Sequence, residues 1–401
     1  MKLSRKVVAT VSALALTLGV ATATQAEAVD TQTAKTISPD ENLWGKLRPI
    51  TKDDARNVVR KTEPEAWYSL IDGNKVKAFN VFSPSMGREI PVAVIPAKDA
   101  NGKPVQGAPI IYLLNGAGGA EQGNDWLTYA KTQQYFEKQG VNVVIPMEGA
   151  FSYYADWATT PKVNGPDQYY RGPQKWETFL AKELPGPIER ELGADSRRAI
   201  VGFSMSGTPA LVIPSHYPGF YTAAASFSGC AATSSPAANF FARLTVNRGS
   251  GTPEEMWGPA GGEYNRYNDA LVNAEKLRDT KLYISGASGL AAETDMPGYL
   301  KSKIDKNDQN RATKELAASA GAATLIVEGG VIEAAINSCN HDFKAKMDRI
   351  NGSQNVNYKL RNAGTHSWPQ WREDYKLSWE ETIAPAFGMK ANPSVHVDRG
   401  A

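Results

Sequence analysis

Short apolar runs bounded by Gly, Pro, Asn or Asp recur along this chain. They fall at residues 76–82, 90–95, 109–114, 141–146, 199–202, 223–228, 281–285 and 323–327, with a further run at 356–360. Each has the length of a strand. Between several of them apolar positions return at helical spacing, over 125–139, 176–192 and 209–217. Strands alternating with helices predict an α/β fold, with a mostly parallel sheet flanked by helices and joined by right-handed crossovers. The run Ile110-Ile111-Tyr112-Leu113-Leu114 is apolar at every position, as a central strand buried on both faces requires. Residues 141–145 read the same way, with Asn142 the one polar break. The stretch 231–267, rich in Gly, Pro, Asn and aromatics, reads as an irregular insertion rather than part of the sheet.

The N-terminus has a different pattern. Met1-Lys2-Leu3-Ser4-Arg5-Lys6 is followed by an apolar run over 7–20 and then by Ala26-Glu27-Ala28. A basic start, an apolar centre and a small-residue cleavage site predict a signal peptide over 1–28, and hence export. The run is too short for a membrane span and no other window reads as one, so no transmembrane span is expected after cleavage. The remaining residues divide into an N-terminal arm (29–65, with an amphipathic segment at 52–61), one domain (66–388) and a polar tail (389–401). The 44 basic and 42 acidic residues are interspersed, which leaves no basic stripe for nucleic acid. The two cysteines, Cys230 and Cys339, come without C-x-x-C or H-E-x-x-H patterns, so neither a metal site nor a cofactor is expected. In an exported chain they predict one disulfide.

Candidate chemistry centres on Gly202-Phe203-Ser204-Met205-Ser206-Gly207, set between a β-prone run and an apolar helical stretch. This is the pattern of a nucleophile elbow, so the domain reads as an α/β-hydrolase fold with Ser204 as nucleophile. Ser206 stands where the motif has its last glycine, and is small enough for the close strand–helix approach. A serine hydroxyl needs a base. Of the four histidines, His216 sits at the far end of the elbow helix, His341 in a helical stretch and His396 in the tail. His366 lies in a late loop after a strand candidate, where this fold places its base. The acid must lie between Ser204 and His366, and Glu293, Asp295, Glu328, Glu333 and Asp342 all remain candidates. Met205 and Ala117, the latter in the loop Asn115-Gly116-Ala117-Gly118-Gly119, would supply the two oxyanion N–H groups.

Several segments together resemble mycoloyltransferases of the antigen 85 type, from the envelope of mycolic-acid bacteria. They are Ser83-Pro84-Ser85-Met86-Gly87-Arg88, Phe151-Ser152-Tyr153-Tyr154-Ala155-Asp156-Trp157, Lys175-Trp176-Glu177-Thr178-Phe179-Leu180, Met256-Trp257-Gly258-Pro259 and Gly364-Thr365-His366-Ser367-Trp368, together with the elbow itself. The resemblance implies Glu333 as the triad acid, ahead of Ser338-Cys339-Asn340-His341-Asp342-Phe343, with Asp295 as the alternative. It also implies substrate contacts at Asn115, Gly116 and Trp368. Two departures stand out. Asn115 and Gly118 replace the family's oxyanion-loop Asp and Arg, so its charged sugar clamp is missing, and Ser285 replaces a cysteine near the triad. The chain looks closer to the corynebacterial branch, whose paralogues divide several acceptors among them.

By that resemblance, Ser204 would take a mycoloyl group from trehalose monomycolate and pass it to a hydroxyl acceptor. That acceptor would be a second trehalose mycolate, cell-wall arabinogalactan or an envelope protein serine. The rival readings are a secreted esterase on the same fold and a non-catalytic binding protein that keeps the fold. A Cys230–Cys339 bridge would tether the Glu333 helix to the sheet.

Overall fold

A computed structural model describes residues 44–51, 54, 66–165 and 168–393. The predicted signal peptide, the 52–61 segment apart from Asp54, and His396 lie outside the described residues. Among the described residues nine strands form one sheet, in the order β1-β2-β3-β5-β4-β6-β7-β8-β9. They are β1 (Lys46–Pro49), β2 (Lys77–Ser83), β3 (Arg88–Ile95), β4 (Ile110–Leu114), β5 (Asn142–Pro146), β6 (Arg198–Phe203), β7 (Ala223–Phe227), β8 (Lys281–Ala287) and β9 (Val356–Arg361). From β5 through β9 every pair is parallel, while β1, β2, β3 and β5 pair antiparallel. The α/β-hydrolase expectation holds, with one edge strand, β1, inside the segment read as an arm.

Alternation along β4 shows why its sequence is wholly apolar. Ile110, Tyr112 and Leu114 enter the core on one face of the sheet. Ile111 and Leu113 enter the core on the other. Successive side chains point to opposite faces, so helices on both sides demand an apolar residue at every position. Strand order reverses at β4, which pairs with β5 on one side and β6 on the other. In an open α/β sheet the crevice for a ligand lies at the strand carboxyl ends at such a switch point. The loop after β4 and the turn after β6 leave from that place.

Three local expectations are corrected. Residues 125–139 form two short helices, Trp126–Tyr129 and Thr132–Phe136, separated where Lys131 takes φ 51°. The 231–267 stretch carries three helices, Pro236–Val246, Pro253–Trp257 and Glu263–Tyr267. Ser235 caps the first, and Thr252 with Glu255 forms a capping box on the second. Proline at the first helical position after a Ser or Thr cap is the start signal that its loop-like composition hid. Finally, 323–327 is not a strand. It closes the Ala-rich helix Arg311–Thr324 and enters a π-turn at Leu325–Gly329, which runs on into the helix Gly330–Arg349. A five-residue apolar run is ambiguous by itself, and strong helix formers on its N-terminal side decide it.

The resulting Arg311–Arg349 helix is 39 residues long. By length and composition it is apolar enough to cross a membrane, with 22% of the apolar window buried, which corrects the reading that no second window qualifies. Its C-terminal half packs on the sheet through Glu333, Asn340, Phe343 and Met347, whereas Val327 is 67% exposed. Val327→Lys should therefore change unfolding free energy by no more than about 0.5 kcal/mol in a urea titration. A loss of several kcal/mol would place this position in a buried strand after all.

Candidate active site

β6 ends at Phe203 and the chain turns sharply into the helix Pro209–His216. Ser204 sits in the turn with φ 56°. This left-handed conformation is strained for a non-glycine residue and characteristic of functional sites. Two glycines make room for the turn. A Cβ at Gly202 would lie 2.1 Å from the Ser206 carbonyl oxygen, and one at Gly207 would lie 2.7 Å from Ser226 Oγ. Ser206, which departs from the elbow motif, is fully buried. Its hydroxyl accepts from the Phe203 N–H at 2.9 Å and lies 3.0 Å from the Leu114 carbonyl. The extra oxygen thus ties the elbow to the end of β4.

Ser204, His366 and Glu333 come together from three separate segments. His366 Nε2 lies 2.7 Å from Ser204 Oγ, and Nδ1 lies 2.8 Å from Glu333 Oε2. With the Nδ1 proton directed at the carboxylate, Nε2 is left to accept from the serine hydroxyl. Glu333 is fully buried. Its second oxygen, Oε1, accepts from Ser228 Oγ at 2.8 Å, the Ala287 N–H at 2.8 Å and Gln370 Nε2 at 2.9 Å. A buried carboxylate is tolerable only when donors replace its water, and here each oxygen has them. Trp371 packs edge-on to His366, with ring centroids 4.9 Å apart, and donates from Nε1 to Ser228 Oγ at 3.0 Å.

The remaining sequence candidates fall into two groups. The loop carrying Ala117 leaves β4 beside the elbow carrying Met205, because Leu114 and Gly202 are register partners. One loop braces both. The Phe151 N–H donates to the Ala117 carbonyl at 2.7 Å, and the Tyr153 N–H contacts Met205 Sδ at 3.4 Å. Phe151, Tyr153 and Tyr154 all have positive φ, and Glu121 accepts from the Gly149 and Ala150 N–H groups at the loop's start. Gly116 packs on Phe203, whose ring a Cβ would meet at 2.7 Å.

Asn115 lies at the start of the loop that leaves β4. Its carboxamide donates to the Pro146 carbonyl and accepts from the Trp126 N–H, and the residue is buried. Both ends of the side chain bond backbone, so Asn115 holds the loop. Trp368 is half-buried, stacks on Tyr129 and donates to Asn124 Oδ1. His216 bonds Glu177 and the Tyr267 carbonyl at the far end of the elbow helix, and His341 is exposed. Among the other acid candidates Glu293, Glu328 and Asp342 are exposed, and Asp295 is buried with contacts beside His366 rather than on its ring.

Sequence reading missed Ser228, Gln370 and Trp371, which reach the site only through the fold and carry no motif of their own. It also missed why Ser285 is compatible with a site near the triad. Its hydroxyl donates to Asp374, a buried carboxyl raised by desolvation against the opposing pull of Arg361. Its carbonyl accepts from Asn340 on the Glu333 helix.

Cys230 and Cys339 are bridged across 109 residues of sequence. Cys230 follows the β7 exit that supplies Ser228, and Cys339 lies on the same helix as Glu333. The bridge therefore anchors the carboxylate's helix to the strand end whose hydroxyl it accepts from. The double change Cys230→Ser, Cys339→Ser should cost about 3–5 kcal/mol of stability. It should also slow the reaction of Ser204 with a fluorophosphonate. Unchanged melting and unchanged labelling after reduction would show that the tether does neither.

The profile of the family described as putative esterase matches residues 83–376. The diacylglycerol acyltransferase/mycolyltransferase Ag85C of Mycobacterium leprae is 27% identical over 305 residues, covering 75% of this chain and 79% of that protein. Ag85A of Mycobacterium tuberculosis is also 27% identical, over 303 residues, covering 75% and 78%. Among solved structures, Mycobacterium tuberculosis MPT51 superposes with a TM-score of 0.53 at 22% identity, covering 74% of this chain and 93% of that one, a likeness of fold. The chain belongs to the putative esterase family and, within it, is similar to the antigen 85 mycolyltransferases.

Proposed function

We propose that this protein is an exported acyltransferase that moves a mycoloyl group from a trehalose mycolate to a hydroxyl acceptor through an acyl-enzyme on Ser204. The observation that carries this reading is the continuous hydrogen-bonded chain from Ser204 through His366 to the buried Glu333. The names of the Ag85 relatives supply the acyl group and the transfer chemistry. The disulfide and the basic-then-apolar N-terminus support export to the cell envelope.

In this reading Ser204 Oγ attacks the ester carbonyl while His366 Nε2 takes its proton, and Glu333 steadies the imidazolium that forms. The N–H groups of Ala117 and Met205 face the developing oxyanion. The collapsing intermediate expels the trehalose hydroxyl, which takes the proton back from His366. An acceptor hydroxyl, from trehalose monomycolate, arabinogalactan or a protein serine, then repeats the cycle in reverse. Hydrolysis follows the same steps with water, so a secreted esterase shares every residue named here.

Mature protein incubated with an acyl-trehalose donor and a mass-tagged sugar or wall-glycan acceptor should acylate the tag. Ser204→Ala should lower the rate by about 10⁴-fold or more. Free fatty acid as the only product would favour the esterase, and full activity in the Ser204→Ala variant would overturn the serine mechanism.

A further inference from the structure

Asp295 ends a short turn after β8, over Glu293–Asp295, and is fully buried. It occupies the part of the chain where an acid for His366 was also expected, yet it binds on either side of that residue. Oδ2 accepts from the Thr365 N–H at 3.0 Å, and Oδ1 accepts from Ser367 Oγ at 2.9 Å. Oδ2 also takes the Ala292 N–H at 2.9 Å, which fixes the carboxylate on its own turn.

The rest of the same strap grips the same loop by backbone. Gly364 N–H donates to the Leu290 carbonyl at 2.6 Å, and Gly289 N–H to the Gly364 carbonyl at 3.1 Å. Ser288 Oγ donates to the Asn362 carbonyl at 2.6 Å. The loop has its own constraint at Gly364, where φ is 142° and a Cβ would lie 2.5 Å from Gln370 Oε1. His366 thus sits on a loop with little regular structure of its own. The strap holds its neighbours, and its own N–H donates to the Gly329 carbonyl at 3.3 Å.

We propose that Asp295 is a positioning residue that fixes the His366 ring between Ser204 and Glu333. The inference rests on the triad reading above. Glu333 orients the imidazole from its Nδ1 side, and Asp295 locks the two neighbouring residues from which the ring projects. The role is geometric rather than one of charge, and this distinguishes two conservative substitutions. In Asp295→Asn the carbonyl oxygen still accepts from Thr365 and Ala292, while the amide donates to Ser367 Oγ, which accepts as readily as it donates. In Asp295→Glu the charge remains but one extra methylene must be fitted into a filled site and displaces the loop.

The test is the single-turnover rate at which a small fluorophosphonate labels the purified mature protein. Ser204 Oγ bonds to phosphorus, fluoride leaves with the bonding pair, and the serine proton passes to His366. Asp295→Ala and Asp295→Glu should each label about ten- to a hundredfold more slowly, and Asp295→Asn within about threefold of the parent rate, since a displacement near 1 Å has an effect of this order. The imidazole N–H proton resonance, bonded to Glu333, should move in the Glu variant and stay in the Asn variant. A fast Glu variant with a slow Asn variant would replace positioning by an electrostatic role. Parent rates in all three, or rates that merely follow melting temperature, would overturn the proposal. Should Asp295→Ala not fold, the Glu and Asn pair still decides. Equal labelling of Ser204→Ala and the parent would instead remove the triad reading, and this inference with it.

Discussion

A carboxylate withdrawn completely from water organises this structure. Removing Glu333 from solvent would be prohibitive without donors, and the donors come from widely separated parts of the chain. Ser228 lies beyond β7, Ala287 at the end of β8, His366 in a late loop and Gln370 on the helix that follows it. Satisfying one charge therefore joins the carboxyl ends of two central strands to two later segments. The joint leaves a single free role for Glu333 Oε2, which is to meet the imidazole. Positions that look unrelated to chemistry follow from this. Gly286 is one, since a Cβ there would press within 2.7 Å of Asn340 Nδ2 and 3.5 Å of Glu333 Oε1.

What could be read from the sequence followed how local each signal is. The elbow was visible because the strained turn, its two glycines and its flanking strand and helix lie within 19 consecutive residues. His366 could be reached by elimination among four histidines and by its place after a strand. The acid could not, because fifteen carboxylates satisfy chain order and only the fold tells which one lies against the ring. The resemblance to a family selected Glu333, and the same side chain meets His366 in the structure. Gln370 and Ser228 had no signal, since a polar residue that completes a buried network looks in sequence like any other.

The misread segments have equally local causes. Residues 323–327 are as β-prone as many true strands, and periodicity cannot separate a five-residue apolar strand from one turn and a half of buried or bridging helix. The alanine-rich stretch before them tips the balance. At Asn115 the sequence hid a role of another kind. A polar residue in an oxyanion loop gives no sign in sequence that its side chain bonds backbone groups of β5's end and of the Trp126 helix. The same loop lacks a side chain at Gly118, and the Gln122 side chain occupies that space, with its Oε1 where a Cβ would be met at 2.3 Å.

The long helix that carries Glu333 has to meet two unlike conditions. Its C-terminal half is fixed by the buried carboxylate, by Asn340, Phe343 and Met347 in the core and by the disulfide. Its N-terminal half, Arg311–Thr324, buries only Ala322. A helix of that length gains little from tertiary contact when so exposed, and starting one in isolation is unfavourable. The packed half supplies the nucleus, and alanine-rich sequence lets the helix extend from it one hydrogen bond at a time. The π-turn at Leu325–Gly329 marks the junction between the two. At that junction the Gly329 carbonyl accepts from the His366 N–H, and Gly330 approaches Gly289 so closely that a Cβ there would lie 2.7 Å from the Gly289 carbonyl oxygen. The widened turn presents a carbonyl to the histidine loop where the helix passes it, so the irregularity lies at the place where the helix is held against the site.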